Sequence, residues 1–274
     1  MGSWRRVLPS TINMIGASYA SLASSMPSDL FEANYENMYL SYTPFDKVAE
    51  CYEELVREAA RRGKRVPVVH APYESWVAAM GAGGVEELVN RLSGLGVKVL
   101  VFHLPSQRYG GLWREAAQML HILQERYDVE FAVENLVAAP PWRDPYKLAE
   151  AAARHGLKLC LDTGHLHLNG LDVARVLRDL ADQTLVLHVH DNHGVIDEHL
   201  VTGAGTINWL DAAPAVLECV DRGAWLVLEE KCIVSREGLD VCKARLILQY
   251  ALMRGLVEGW NGFRELLRGG VKEG

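Results

Sequence analysis

Six ionisable residues stand at the C-terminal ends of short apolar runs along this chain: His70, His103, Glu134, Asp162, His188 and Glu229. They are separated by 33, 31, 28, 26 and 41 residues, close to the roughly 30 residues of one strand–helix–strand unit. Any one of them alone reads as a satisfied polar group at a strand end. Three imidazoles and three carboxylates gathered in one place are a different matter, because such groups repel or desolvate one another unless something neutralises them. A divalent cation does so, and mixed nitrogen and oxygen donors are what zinc, manganese, cobalt or iron accept. Two loops add donors. Asp162-Thr-Gly-His165 puts a second candidate one tight turn after the first, and Asp197-Glu-His199 presents an Asp-x-His pair ahead of Gly203-Ala-Gly205.

The elements that must position these residues follow from the pattern around them. The apolar runs at 66–70, 97–103, 130–134, 157–162, 184–188 and 224–229 are nearly continuous, which suits parallel strands buried on both faces. Between them lie stretches of helical period at 113–127, 144–155 and 171–180. An earlier one, 45–62, sets Val48, Ala49, Tyr52, Leu55, Val56 and Ala59 on one stripe. Two further strands are expected near 12–17 and 34–41. Eight strand–helix units predict a single α/β domain over 1–274, a (β/α)8 TIM barrel spanning about 11–254 with a short helical extension at 255–274. A doubly wound open sheet is the structural rival. In a barrel all strand C-termini meet at one face, where active sites form, so the six groups would share one mouth.

Composition narrows the class. With 49% hydrophobic and 23% charged residues the chain is globular rather than disordered, and its apolar runs are too short for a bilayer-spanning helix of about 20 residues. Arg5 and Arg6 followed by Ala17-Ser-Tyr-Ala20 imitate a signal peptide, but Pro9, Ser10, Thr11 and Asn13 interrupt the apolar stretch it needs. The five cysteines, without a Cys-x-x-Cys pair, read as reduced thiols of a cytoplasmic protein. A net charge of −7 argues against a broadly basic nucleic-acid surface, although 28 Lys and Arg leave room for a local groove. His121 and His155 read as structural, and His167, His190 and His193 as residues near the mouth rather than ligands.

The ordered series VHAPY (from Val69), FHLP (from Phe102), AVEN (from Ala132), LDTGH (from Leu161), HVHDN (from His188), DEH (from Asp197) and WLVLEE (from Trp225) resembles the xylose-isomerase-like barrel superfamily across about 12–250. That superfamily includes sugar isomerases and epimerases and the endonuclease IV group, which cleaves DNA at abasic sites. The resemblance implies one to three divalent ions, zinc or manganese foremost. In the sugar enzymes one ion would be held by Glu134, Asp162, His188 and Glu229. In the endonuclease pattern His70, His103 and Glu134 would hold one zinc, Glu134 would bridge to the Asp162–His188–Glu229 zinc, and His165, Asp197 and His199 would hold a third.

HVHDN with the following GAGTINW resembles the sugar branch most, and 31–42 is acidic where an endonuclease would carry an arginine-bearing loop. Tyr73 matches a DNA-contacting position that also occurs among the sugar enzymes. Ala204 replaces the usual glutamate of Gly-Glu-Gly, which removes any role for that acid. The leading expectation is a metal-dependent isomerase or epimerase of a small sugar or sugar phosphate, working through an enediolate with Glu134 and Glu229 as acid and base. Tyr73, Asn135, His190 and Lys231 are the candidate substrate contacts. The alternatives are a multi-zinc phosphodiesterase with DNA as partner, and a non-catalytic sugar-binding barrel. At the C-terminus Leu256, Trp260, Phe263 and Leu267 mark an apolar helical face that packs on its own barrel or docks on a second subunit in a homodimer.

Overall fold

The computed structural model describes residues 6–15, 17–35, 47–72 and 74–269, the side chains of 74–80 and 262–269 excepted. Eight parallel strands form one sheet: β1 (Val7–Pro9), β2 (Leu30–Asn34), β3 (Arg65–His70), β4 (Val99–Phe102), β5 (Glu130–Glu134), β6 (Lys158–Asp162), β7 (Thr184–Val189) and β8 (Trp225–Leu228). β1 pairs with β8, and the order runs round through β7 to β3 and β2. Among the described residues β1 and β2 meet at one parallel bridge, Ser10 to Glu32. The Thr11 hydroxyl reinforces it by accepting the Asn34 N–H at 2.8 Å. The sheet is thus a nearly closed barrel, as the strand–helix alternation predicts.

Among the described residues ten α-helices surround it: α1 (Tyr19–Ser25), α2 (Val48–Arg61), α3 (Glu74–Ser93), α4 (Trp113–Arg126), α5 (Pro145–Arg154), α6 (Thr163–Leu168), α7 (Val173–Asp179), α8 (Trp209–Asp221), α9 (Val234–Glu237) and α10 (Leu239–Gly269). α2 buries all six residues of its anticipated stripe. α5 starts where the Asp144 carboxylate accepts the N–H groups of Tyr146 and Lys147, with Pro145 at the first helical position.

Strand alternation decides what the barrel encloses. Leu8, Val68, Val99, Val101, Ala132, Cys160, Val186 and Val227 pack together as an interior layer distinct from the larger core between sheet and helices. Two residues further along the same strands the inward positions are Ser10, His70, His103, Glu134, Asp162, His188 and Glu229, all buried. A period of two therefore sets a polar layer directly on an apolar one.

Four expectations need correction. The first strand is Val7–Pro9, not 12–17, because Ser10 caps a 3-10 turn over Thr11–Met14: its hydroxyl accepts the Ile12 N–H while Asn13 Oδ1 accepts the Ser10 N–H. The second strand is Leu30–Asn34, where a buried glutamate breaks the apolar run, rather than 34–41; residues 36–46 lie outside the described residues. Cys232 and Cys242 form a disulfide that excludes Cys51, Cys160 and Cys219, because α9 folds the chain back on itself between the two. No separate helix begins at Gly255. α10 runs on from Leu239, so its buried stripe is Leu246, Tyr250, Met253 and Val257, and Leu256 is 40% exposed. Trp260 packs against the barrel core and its indole N–H donates to Asp221 on α8. Among the described residues no helix is long and apolar enough to cross a membrane.

Candidate metal centre

Glu134 occupies the middle of the polar layer. Its Oε2 lies 2.8 Å from both His70 Nε2 and His103 Nε2, and its Oε1 lies 3.2 Å from His188 Nδ1. Glu229 Oε2 lies 3.4 Å from the same His188 nitrogen, so carboxylates from β5 and from the end of β8 flank one imidazole. Asp162 accepts the main-chain N–H of His165 at 2.7 Å and lies 3.0 Å from His190 Nε2. In the loop after β7, Asp197 Oδ2 stands 3.0 Å from His199 Nε2 and 3.5 Å from His165 Nε2. All nine residues that the sequence singles out as ligands converge. Donor atoms of eight of them, all but His103, fall with His190 and Glu32 into overlapping groups within 4.8 Å of one another, among them His70–Glu134–His188, Glu134–Asp162–His165 and His165–His190–Asp197–His199.

The donor set fits a metal by a second criterion. Metal-binding histidines anchor one ring nitrogen on a carbonyl or carboxylate and turn the other inward. Nδ1–H donates to the Ala71 carbonyl from His70 (2.7 Å), to that of Asn135 from His165 (2.9 Å) and to that of Glu229 from His199 (2.7 Å). Each therefore turns Nε2 toward the centre. His188 is reversed: Nε2 meets Glu32 Oε1 at 3.1 Å and Nδ1 faces inward.

Burial and mutual charge drive the titrations apart. Burial opposes ionisation of Glu134, yet His188 and His103 outweigh it and hold the carboxyl well below its ordinary range. Burial pushes Glu229 well above its ordinary value, and the neighbouring Glu32, Glu134 and Asp162 add to the effect despite His188. Asp162 is lowered to about 2: burial resists, but His165 and His190 prevail. His199 is lowered to about 4, first by burial and then by His190. His165, against its own burial, is raised well above its usual value by Asp162 and Asp197. A cation beside the carboxylates would favour their ionised forms.

The loop bearing Asp197 and His199 is organised by a residue that the sequence reading passed over. Asp191, fully buried, accepts the N–H groups of Asn192 (2.8 Å), Gly203 (2.9 Å) and Ile207 (3.2 Å) and the indole N–H of Trp209 (2.7 Å). Gly205 belongs to that knot, since a Cβ there would lie 2.3 Å from Asp191 Oδ1. Ala204 therefore sits in a loop that Asp191 already holds. Gly164 is equally constrained: a Cβ would lie 1.9 Å from the His190 ring. The signal for Asp191 was its place in HVHDN, directly before the glycine-rich loop.

A cleft of about 610 Å³ opens onto this centre, lined by His103, Arg108, Leu136, Ala139, His165 and Asp197 among others. Of the anticipated substrate contacts, Tyr73 lies outside the described residues. Asn135 is buried and clamps Asp162, accepting its N–H at 2.8 Å. His190 is buried and stacked on His199 at 3.8 Å between ring centroids. Lys231 donates its main-chain N–H to the His199 carbonyl at 2.9 Å. Asn135, His190 and Lys231 are thus arranged around the ligands and are not among the residues lining the cleft.

Fold and site together define a parallel (β/α)8 barrel with a histidine–carboxylate centre in its mouth. The chain belongs to the xylose isomerase-like TIM barrel family, whose profile matches residues 21–240. Among solved structures it is similar to a D-tagatose 3-epimerase-like protein, at 20% identity over 93% of this chain and 98% of that one, with a TM-score of 0.69. It is also similar to the 3-keto-D-glucoside 4-epimerase YcjR from E. coli, at 13% identity, 90% and 99% coverage, and a TM-score of 0.69. At these identities the likeness is one of fold. The uncharacterised protein MJ1614 of Methanocaldococcus jannaschii is 37% identical over 126 residues, 45% of this chain, and the match spans about half (47%) of that relative's length.

Proposed function

We propose that the chain is a divalent-metal-dependent isomerase or epimerase acting on a small sugar or sugar phosphate. The observation that carries this reading is the opening of a small cleft onto a buried centre where two carboxylates, Glu134 and Glu229, flank the same imidazole nitrogen. A volume of about 610 Å³ lies within the range of small-molecule sites, roughly 300–1,000 Å³. A divalent ion held by Glu134, Asp162, His188 and Glu229 would acidify a C–H beside a substrate carbonyl and stabilise the charge that develops. Glu134 and Glu229, which reach in from different strands and flank the same imidazole nitrogen, would take the proton and return it. The fold's neighbours are named as epimerases of sugars, which agrees with this assignment.

One observation favours a second reading. His165, Asp197 and His199, with His190, gather donors beyond the four that a single-ion isomerase uses. With His70 and His103 they complete the donor set of a multi-zinc phosphodiesterase acting on DNA at abasic sites, where clustered ions would clamp the attacking and leaving oxygens. One experiment separates the two: deuterium incorporation from solvent into a panel of ketoses and aldoses, run beside nicking of an abasic-site oligonucleotide, with bound ions counted on the same preparation. Exchange without nicking is the expected result. Efficient metal-dependent nicking with no exchange into any sugar reverses the assignment.

A further inference from the structure

Of the histidines whose two ring nitrogens are both accounted for at the centre, His188 alone turns Nδ1 inward, and β2 explains why. Glu32 is fully buried on β2, and its Oε1 lies 3.1 Å from His188 Nε2. Its other oxygen has no hydrogen-bond partner within ordinary distance among the described residues. A carboxylate only accepts hydrogen bonds, so the proton of this contact sits on His188 Nε2. Nδ1 is then the nitrogen left to face Glu134 and Glu229, at 3.2 and 3.4 Å. Two residues on, the same strand acts on the other flank: Asn34 Nδ2 donates to Glu229 Oε1 at 2.6 Å, leaving Oε2 turned to His188.

We propose that Glu32 is the positioning residue of the metal centre: it anchors His188 by Nε2 so that Nδ1 is the metal-binding atom. The proposal rests on the reading that His188 is a metal ligand. A carboxylate in this place fixes ring tautomer and orientation and raises the ligand's basicity, and losing such a partner typically weakens metal affinity about 10–100-fold. Carbonyls do this for His70, His165 and His199; a charged group does it for His188, which stands between the two acid–base carboxylates. Glu32 is thereby distinguished from a ligand, which would give its own oxygen to the ion.

The test uses the full chain loaded with zinc. In protein labelled with 15N-histidine, the His188 ring, assigned by its loss in His188→Gln, should show a protonated, exchange-protected Nε2 and a metal-shifted Nδ1. Chelator competition on Glu32→Gln, which keeps the side-chain volume, should show zinc bound at unchanged stoichiometry but about 10–100-fold more weakly, with the Nε2 proton signal displaced. Metal bound through Nε2 in the wild type overturns the proposal, and this readout needs no variant to fold. Wild-type affinity and an unmoved ring signal in Glu32→Gln also overturn it, as does loss of one whole ion, which would make Glu32 a ligand. A wild-type protein that binds no divalent metal fells the metal-dependent reading itself, and this proposal with it.

Discussion

The two halves of the centre are built differently. His70, His103, Glu134 and His188 stand on strands or directly after them, and their side chains are at most 10% exposed. His165, Asp197 and His199 stand on a short helix and a loop, and Asp197 is 32% exposed. The strand half inherits its geometry from the sheet register, in which Asp162 lies beside His188 and Glu134 beside Cys160. The loop half must be assembled by Asp191, by Gly205, where a Cβ would lie 2.3 Å from Asp191 Oδ1, and by a left-handed His199 at φ 49, a conformation costing about 1–3 kcal/mol. Rigid placement suits groups that move protons.

The sharpest way to break that division is Glu134→Gln. Solvent deuterium exchange into the substrate should fall about 10²- to 10⁴-fold while the circular dichroism spectrum is unchanged; exchange within a factor of two of wild type would remove Glu134 from the chemistry.

Acid should separate the halves next. The His199 pKa, lowered to about 4 from 6.5, contributes stability that is present above about pH 6.5 and is lost as pH falls through 4. In metal-free protein that loss amounts to on the order of 3 kcal/mol. Urea midpoints compared between wild type and His199→Gln at pH 7 and pH 4 should converge at the lower pH; a constant difference contradicts the neutral imidazole.

Gly164→Ala strikes the junction of the two halves, because its Cβ meets the His190 ring. Overpacking of this kind costs about 1–3 kcal/mol, and the melting temperature should drop by several degrees with the inter-histidine contacts disturbed in NMR. An unshifted melting curve would show the ring free to move. The smallest effect should come from Asp197→Asn, which removes charge from the exposed pole: one class of bound ion should weaken about tenfold, within the range for altered metal partners, while the tighter class is untouched in the same titration. Equal weakening of both classes would join the halves into one unit.

The strand half was readable in the sequence because its ligands close apolar runs at a steady interval, and the loop half because Asp-x-x-His and Asp-x-His are compact. What could not be read is what stands behind them. Glu32 interrupts the apolar run that would mark β2, so the residue that makes the strand matter also hides it. β1 is three residues long and ends in proline, followed at once by the Ser10 cap, too short for periodicity to register. The Cys232–Cys242 pairing depends on α9 folding the chain back, which no cysteine spacing announces. Of the C-terminal stripe Trp260 does pack on the barrel, but Val257 rather than Leu256 is the buried residue before it, continuing the face of Leu246, Tyr250 and Met253 along a helix unbroken from Leu239.

The seam between β1 and β2 gives the centre a mechanical role. A closed barrel resists opening as a hoop does, and a hoop parts where it is joined most thinly. Here the join is the Ser10–Glu32 bridge with the Thr11–Asn34 hydrogen bond. Glu32 and Asn34, the side chains that grip His188 and Glu229, are therefore also the rivets of that join. Any cation the centre takes up tightens the hoop from within, and by reciprocity whatever springs the seam loosens the cation. Amide exchange along Leu30–Asn34 becomes a gauge of occupancy.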